Sequence, residues 1–94
     1  MEKITVKNNE ELKQFAAELD GKKAFINYKK RDDGTLDLSH TEVPPEFEGK
    51  GVGSQLVKQT LELVKADGVK IVPSCPFVAN YIHRHPEYKS LIAD

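Results

Sequence analysis

Three glycines at alternate positions, Gly49, Gly51 and Gly53, divide the chain into parts that obey different periods. Before them the apolar residues fall into short extended runs separated by turn signals. After them the spacing becomes that of an amphipathic helix. At 94 residues there is room for one domain, so 1–94 is read as a single unit in which both parts share a core. No repeat at a fixed period and no low-complexity linker interrupts it.

The segment Asn8-Asn-Glu-Glu-Leu-Lys-Gln-Phe-Ala-Ala-Glu-Leu19 admits two readings. Asn9 is a possible helix cap with Leu12, Phe15, Ala16 and Leu19 at helical spacing. Asp20-Gly21, however, is a strong tight-hairpin signal, and the run behind it, from Lys22 to Lys30, has the β-branched and aromatic content of a strand. The hairpin reading is preferred, with strands expected at 3–7, 13–19 and 22–30. A second turn at Arg31-Asp-Asp-Gly34 leads into 35–43, where Leu36, Leu38 and His40 alternate with Thr35, Asp37 and Ser39. The amino-terminal half is therefore expected to be an antiparallel meander.

From Gly51 to Asp67 one helical face carries Val52, Leu56, Val57, Leu61, Leu63 and Val64, and the other carries Ser54, Lys58, Glu62 and Lys65. Asp67-Gly68 ends that helix, 69–74 supplies a short apolar strand, and Phe77, Val78, Tyr81 and Ile82 imply a second helix stopped before Pro86. Strand, helix and strand in that order make a parallel crossover.

A glycine-rich turn between a strand and a helix leaves first-turn N–H groups pointing outward, where the helix dipole adds partial positive charge. Such a turn suits phosphate, because small residues let the oxygens approach the amides. The competing reading is that the glycines serve close packing alone. The spacing matches neither a nucleoside-triphosphate loop nor a dinucleotide fingerprint. The charges, 14 basic against 15 acidic, give no global field for nucleic acid or anionic membrane. One cysteine, Cys75, rules out an internal disulfide framework. No charged-then-apolar leader follows Met1 and no run approaches a membrane span, so a cytoplasmic protein is expected.

The runs His40-Thr-Glu-Val-Pro-Pro-Glu-Phe47 and Cys75-Pro-Phe-Val-Ala-Asn-Tyr-Ile-His-Arg-His-Pro-Glu-Tyr88, with the loop Glu48-Gly-Lys-Gly-Val-Gly53 between them, resemble the small single-domain branch of the GNAT superfamily of acyl-CoA N-acetyltransferases. The resemblance spans essentially the whole chain. It departs at Glu48, where the superfamily carries Arg or Gln, and there Glu48 is expected to turn to solvent while Lys50 supplies local positive charge. What the resemblance implies is an α+β fold. Its mixed, mostly antiparallel sheet splays between strands 4 and 5, with a long helix after the glycine-rich loop and a helix near the C-terminus. Acetyl-CoA would lie in the splay, its pantetheine arm pairing with backbone at Glu42 and Val43. Its pyrophosphate would rest on amides of Gly49, Lys50, Gly51, Val52, Gly53 and Ser54.

The implied reaction moves an acetyl group to an amine, with a small amine, a polyamine and a protein amine all left open as the acceptor. An alternative is an acyl-CoA-binding module with little turnover, linked covalently through Cys75. For catalysis the resemblance points to Tyr81, as the acid that protonates the departing thiolate, and to Cys75, which sits close to the cofactor sulfur at a helix N-terminus where a thiol's pKa falls. Read from the residues alone, an aromatic at that spacing and a lone cysteine ending an apolar strand are both more often core side chains than catalysts. His40, at the end of the fourth strand, is a candidate for carrying the amine's proton. Cys75, His40, His83 and His85 lack the spacing of a zinc set, and no metal is expected. The two helices that larger relatives insert between their first strands have no counterpart here. The acceptor groove is therefore expected to be short and open, and the protein a monomer or weak dimer.

Overall fold

The computed structural model describes residues 3–93. A five-stranded sheet in the order β1-β2-β3-β4-β5 is built from β1 (Lys7–Asn9), β2 (Gln14–Leu19), β3 (Lys22–Lys30), β4 (Leu36–Glu42) and β5 (Ile71–Val72). The first four are antiparallel neighbours, and β5 joins β4 in parallel after the crossover through α1 (Val52–Ala66). Helix α2 (Pro76–Arg84) and a 3-10 segment at Pro86–Leu91 complete the chain. Among the described residues no helix is long and apolar enough to cross a membrane.

The hairpin reading of the first half holds, because Phe15 and Ala17 are buried while Gln14 and Ala16 lie on the other face, a period of two. Asp20 and Gly21 both take positive φ, 53° and 75°, the geometry of a two-residue turn that matches strand twist. Asn9 caps no helix. Its Oδ1 accepts the Leu12 amide at 3.1 Å and closes the turn into β2.

Three expected boundaries move. The strand expected at 3–7 pairs with β2 only over Lys7–Asn9. Ahead of it, Ile4 and Val6 are buried, but their amides donate to the side chains of Gln55 and Gln59 at 3.2 and 2.9 Å, so α1 takes the place of a sheet partner. β5 is two residues long where 69–74 was expected, because Pro73 has no N–H to continue the ladder and Ser74 folds back onto the Val72 carbonyl at 3.0 Å.

The third change lies in β4. Asn27 pairs with His40 and Tyr28 with Leu38, so Ser39 is an extra residue, a β-bulge. Beyond it the alternation inverts. Thr41 pairs with buried Ile26 and shares its face with Leu36 and Leu38, whereas His40 turns to the opposite, exposed face.

Helix α1 lies across β2 and β3 and α2 lies against β4, forming one core on one side of the sheet. Its centre is Leu56, Val57, Leu61 and Val64 from α1, Ile26 and Leu38 from the sheet, and Val78 from α2, each 1% exposed or less. Helix α1 closes on Gly68 at φ 69°, with Val69 N donating to Val64 O and Gly68 N to Lys65 O.

Three buried tyrosines tie the edges to this core. The Tyr88 hydroxyl donates to the Glu62 carboxylate at 2.6 Å, pinning the C-terminal 3-10 segment to α1, and that bond, followed by burial, pushes its phenol well above the usual value. Burial also raises Tyr28, against a hydrogen bond to Asn8, and raises Tyr81, with Glu87 adding to it. A phenol raised on folding contributes stability that is complete below the unfolded value of about 10 and is lost as pH climbs through the folded one. The urea midpoint should therefore fall above about pH 10, and less steeply in Tyr88→Phe. At neutral pH that variant should lose about 1 kcal/mol, since Glu62 is exposed and can return to water.

Candidate functional site

The parallel ladder between β4 and β5 consists of Leu36–Ile71 and Asp37–Val72, extended by one bond from the Cys75 amide to the Leu38 carbonyl at 2.9 Å. Past that bond the strands part. The bulge at Ser39 carries β4 away, while Pro76 starts α2, and the outer edge of β4 beyond the bulge is left without a neighbouring strand among the described residues.

A cleft of about 660 Å³ opens beside that edge. One wall is Thr41, Glu42 and Val43. Its floor and far wall come from Phe47, Glu48 and Gly49, then from Gly51 to Ser54 at the start of α1, and Phe77 of α2 closes the side. Phe47 is buried and holds the loop to the core through a single 3-10 turn, Pro45–Phe47.

The glycines are not equivalent. Gly49 and Gly51 have φ of 78° and 77°, a left-handed backbone that L side chains rarely adopt, and Gly51 is the residue at which α1 begins. Gly53 is helical, and a Cβ there would lie 2.7 Å from the Phe77 ring, so its smallness serves close packing. Close packing thus accounts for Gly53, and backbone conformation for Gly49 and Gly51.

Among the described residues no backbone carbonyl accepts from the amides of Gly49, Gly51, Val52, Gly53 or Ser54, and the first bond back into α1 is Gln55 N to Gly51 O at 3.1 Å. The Lys50 amide differs, donating to Phe47 O at 3.3 Å. Glu48 borders the cleft and is exposed to solvent, as expected, whereas Lys50, expected to supply positive charge there, does not line it. The charged residues bordering the cleft are thus Glu42, whose carboxylate pairs with His40 on the opposite face of the sheet, and Glu48.

Cys75 is 5% exposed and lies behind the wall rather than on it. Its Sγ donates to Thr41 Oγ1 at 3.3 Å. Burial pushes the thiol up, but the hydrogen bonds that the Thr41 hydroxyl and the amides of Val78, Phe77 and Thr41 can give to the thiolate outweigh it and hold the thiol below its usual value.

Tyr81 is elsewhere, buried on α2 with its ring stacked on His85 at 4.2 Å and tilted against Tyr88 at 6.2 Å, and it does not line the cleft. His40, 57% exposed, faces away from the helices with Nε2 3.1 Å from Glu42 Oε1. Among the described residues no group of three His, Cys, Asp or Glu could hold a metal ion.

Sequence reasoning passed over Thr41 and misplaced Phe77. The buried stripe of α2 is Val78, Tyr81 and Ile82, and Phe77 falls one position outside it, 43% exposed over the cleft. That three-residue stripe was the available signal; for Thr41 there was none without the bulge. A larger groove of about 1030 Å³ lies along β1 and β2, but it contains none of the expected site residues and sets three lysines against three glutamates.

Residues 14–91 match the family described as GCN5-related N-acetyl-transferase. Protein NATD1 of Xenopus tropicalis is 31% identical over 85 residues, covering 88% of this chain and 78% of that protein, and human NATD1 is 29% identical, covering 88% and 75%. The NMR solution structure of a GCN5-like protein from Staphylococcus aureus aligns with a TM-score of 0.71 at 27% identity, over 99% of this chain and 91% of that one. Matched in sequence over most of its length and in fold over nearly all of it, the chain belongs to the GCN5-related N-acetyltransferase family.

Proposed function

We propose that the protein transfers an acetyl group from acetyl-CoA to an amine, with the cofactor seated in the cleft between β4 and α1. The observation that carries this reading is the pairing of two unsatisfied backbone surfaces, the outer edge of β4 and the amides at the start of α1, across one cleft. When bound, acetyl-CoA supplies the activated acyl group as a thioester.

The residues present fit that ligand. Amides of Gly49, Gly51, Val52, Gly53 and Ser54 would hold the pyrophosphate, assisted by the α1 dipole. Backbone at Glu42 and Val43 would pair with the pantetheine amides as an added strand does. Glu48 opposes an anion, but an exposed charge about 4 Å away costs on the order of 1 kcal/mol in water. Each amide-to-phosphate bond contributes roughly 1.5–3 kcal/mol, so the cradle outweighs the acid.

Holding the thioester and amine in register accounts for much of the acceleration. The sheet face opposite the helices carries no helix of its own among the described residues, which favours an accessible amine on a large partner or an extended polyamine. Incubation with acetyl-CoA and a panel of amines, peptides and polyamines should release free thiol in an amine-dependent way. Release at the non-enzymatic rate with every acceptor, alongside saturable CoA binding, would replace the enzyme with a CoA-binding module.

A further inference from the structure

We propose that Thr41 is a proton-relay residue, passing the Cys75 proton into the cleft to the sulfur that leaves during acyl transfer. The inference rests on the function proposed above and deepens it, because the acidic residues bordering the cleft, Glu42 and Glu48, are both exposed and Tyr81 lies outside it. Thr41 lines the cleft and bonds to the buried thiol through a side chain that can carry a proton.

A threonine hydroxyl has one proton to give and two lone pairs to receive. While the thiol is protonated, Cys75 Sγ–H occupies one lone pair at 3.3 Å, so the hydroxyl proton points away from the sulfur and can be given to a group in the cleft. As the thioester C–S bond breaks, the departing sulfur takes the Thr41 hydroxyl proton while Thr41 takes the proton of Cys75. One S–H forms and one is lost, Thr41 ends as it began, and the negative charge rests on Cys75 Sγ. The proton shed by the acceptor nitrogen as its C–N bond forms returns to Cys75, so the cycle closes without a further reagent.

The surroundings of Cys75 suit that temporary charge. The amides of Phe77 and Val78 at the start of α2 are directed to the sulfur, and no charged side chain contributes to its ionisation. On β4 the titratable groups past the bulge, His40 and Glu42, face the other side of the sheet and pair with each other. The bulge at Ser39 is what turns Thr41 toward Cys75, since a regular strand would have put Thr41 on the outer face.

Because Cys75 is the only cysteine in the sequence, its ionisation can be followed by the pH dependence of alkylation with iodoacetamide, with no turnover required. Thr41→Val, which keeps the shape, should move the alkylation profile to higher pH, and Thr41→Ser should restore it. In acetyl transfer Thr41→Val should lower kcat about 10²-fold, with a smaller change in KM for acetyl-CoA. Combining it with Cys75→Ala should cost no more than the worse single variant, because the two act as a unit. An alkylation profile unchanged in Thr41→Val, or additive losses in the double variant, would overturn the relay alone. Absence of turnover in the wild type would overturn the relay together with the acetyltransferase reading.

Discussion

Gly51→Ala should weaken CoA binding ten- to a hundredfold, the loss expected when one or two hydrogen bonds to a charged phosphate are displaced. Gly51 stands at φ 77° where the loop becomes α1, so a side chain there strains the backbone and is expected to hold a phosphate away from the amides of the proposed cradle. Strain alone must be separated from crowding, and the molecule provides its own control. Gly68, at the other end of the same helix, has φ 69°, and a Cβ added there would meet nothing within 4 Å. Both alanine variants should lose roughly 1–2 kcal/mol of stability from the left-handed backbone. Gly51→Ala alone should lose CoA affinity, as read by titration calorimetry on the two variants in parallel.

Leu61→Ala should produce the largest loss of stability, about 2–5 kcal/mol, because the side chain is fully enclosed and the rigid sheet beneath it cannot collapse into the space. For a domain of this size that corresponds to a fall in melting temperature of roughly 10–30 °C. Leu61 lies at the middle of α1, remote in sequence from the loop that forms the cleft, so CoA binding measured well below the new melting point should survive. A drop under about 1 kcal/mol would mean that the core is looser than its burial implies.

What could be read before the structure was known depended on local period and local turn chemistry. The Asp20-Gly21 turn needs only its own two residues to take positive φ, and α1 needs only an apolar stripe, so both stood where the sequence placed them. The bulge at Ser39 is a relation between two strands, one extra residue on β4 against β3, and nothing within the run 36–42 announces it. Its effect is large, because a shift of one residue exchanges the faces of His40 and Thr41. The apolar pattern of Ile4 and Val6 correctly signalled burial, yet their backbone partners are glutamines some fifty positions away on α1, which no local window contains.

The site divides in the same way. The glycine-rich entry to α1 was legible because helix starts expose amides whatever the fold. The distinction between Gly51, held by its dihedral, and Gly53, held by Phe77, required the packing of α2 over the loop. The bond between Cys75 and Thr41 joins residues 34 positions apart and exists only because β4 and β5 diverge between them.

The most direct test of the central claim is a titration of the isotopically labelled protein with acetyl-CoA, followed through its backbone amide resonances. The amides of Gly49, Gly51, Val52, Gly53 and Ser54, together with those of Thr41 to Val43, should shift and saturate at one equivalent. Shifts confined to the groove along β1 and β2, or no saturable shift at all, would contradict the assignment of the cleft between β4 and α1 as the acetyl-CoA site.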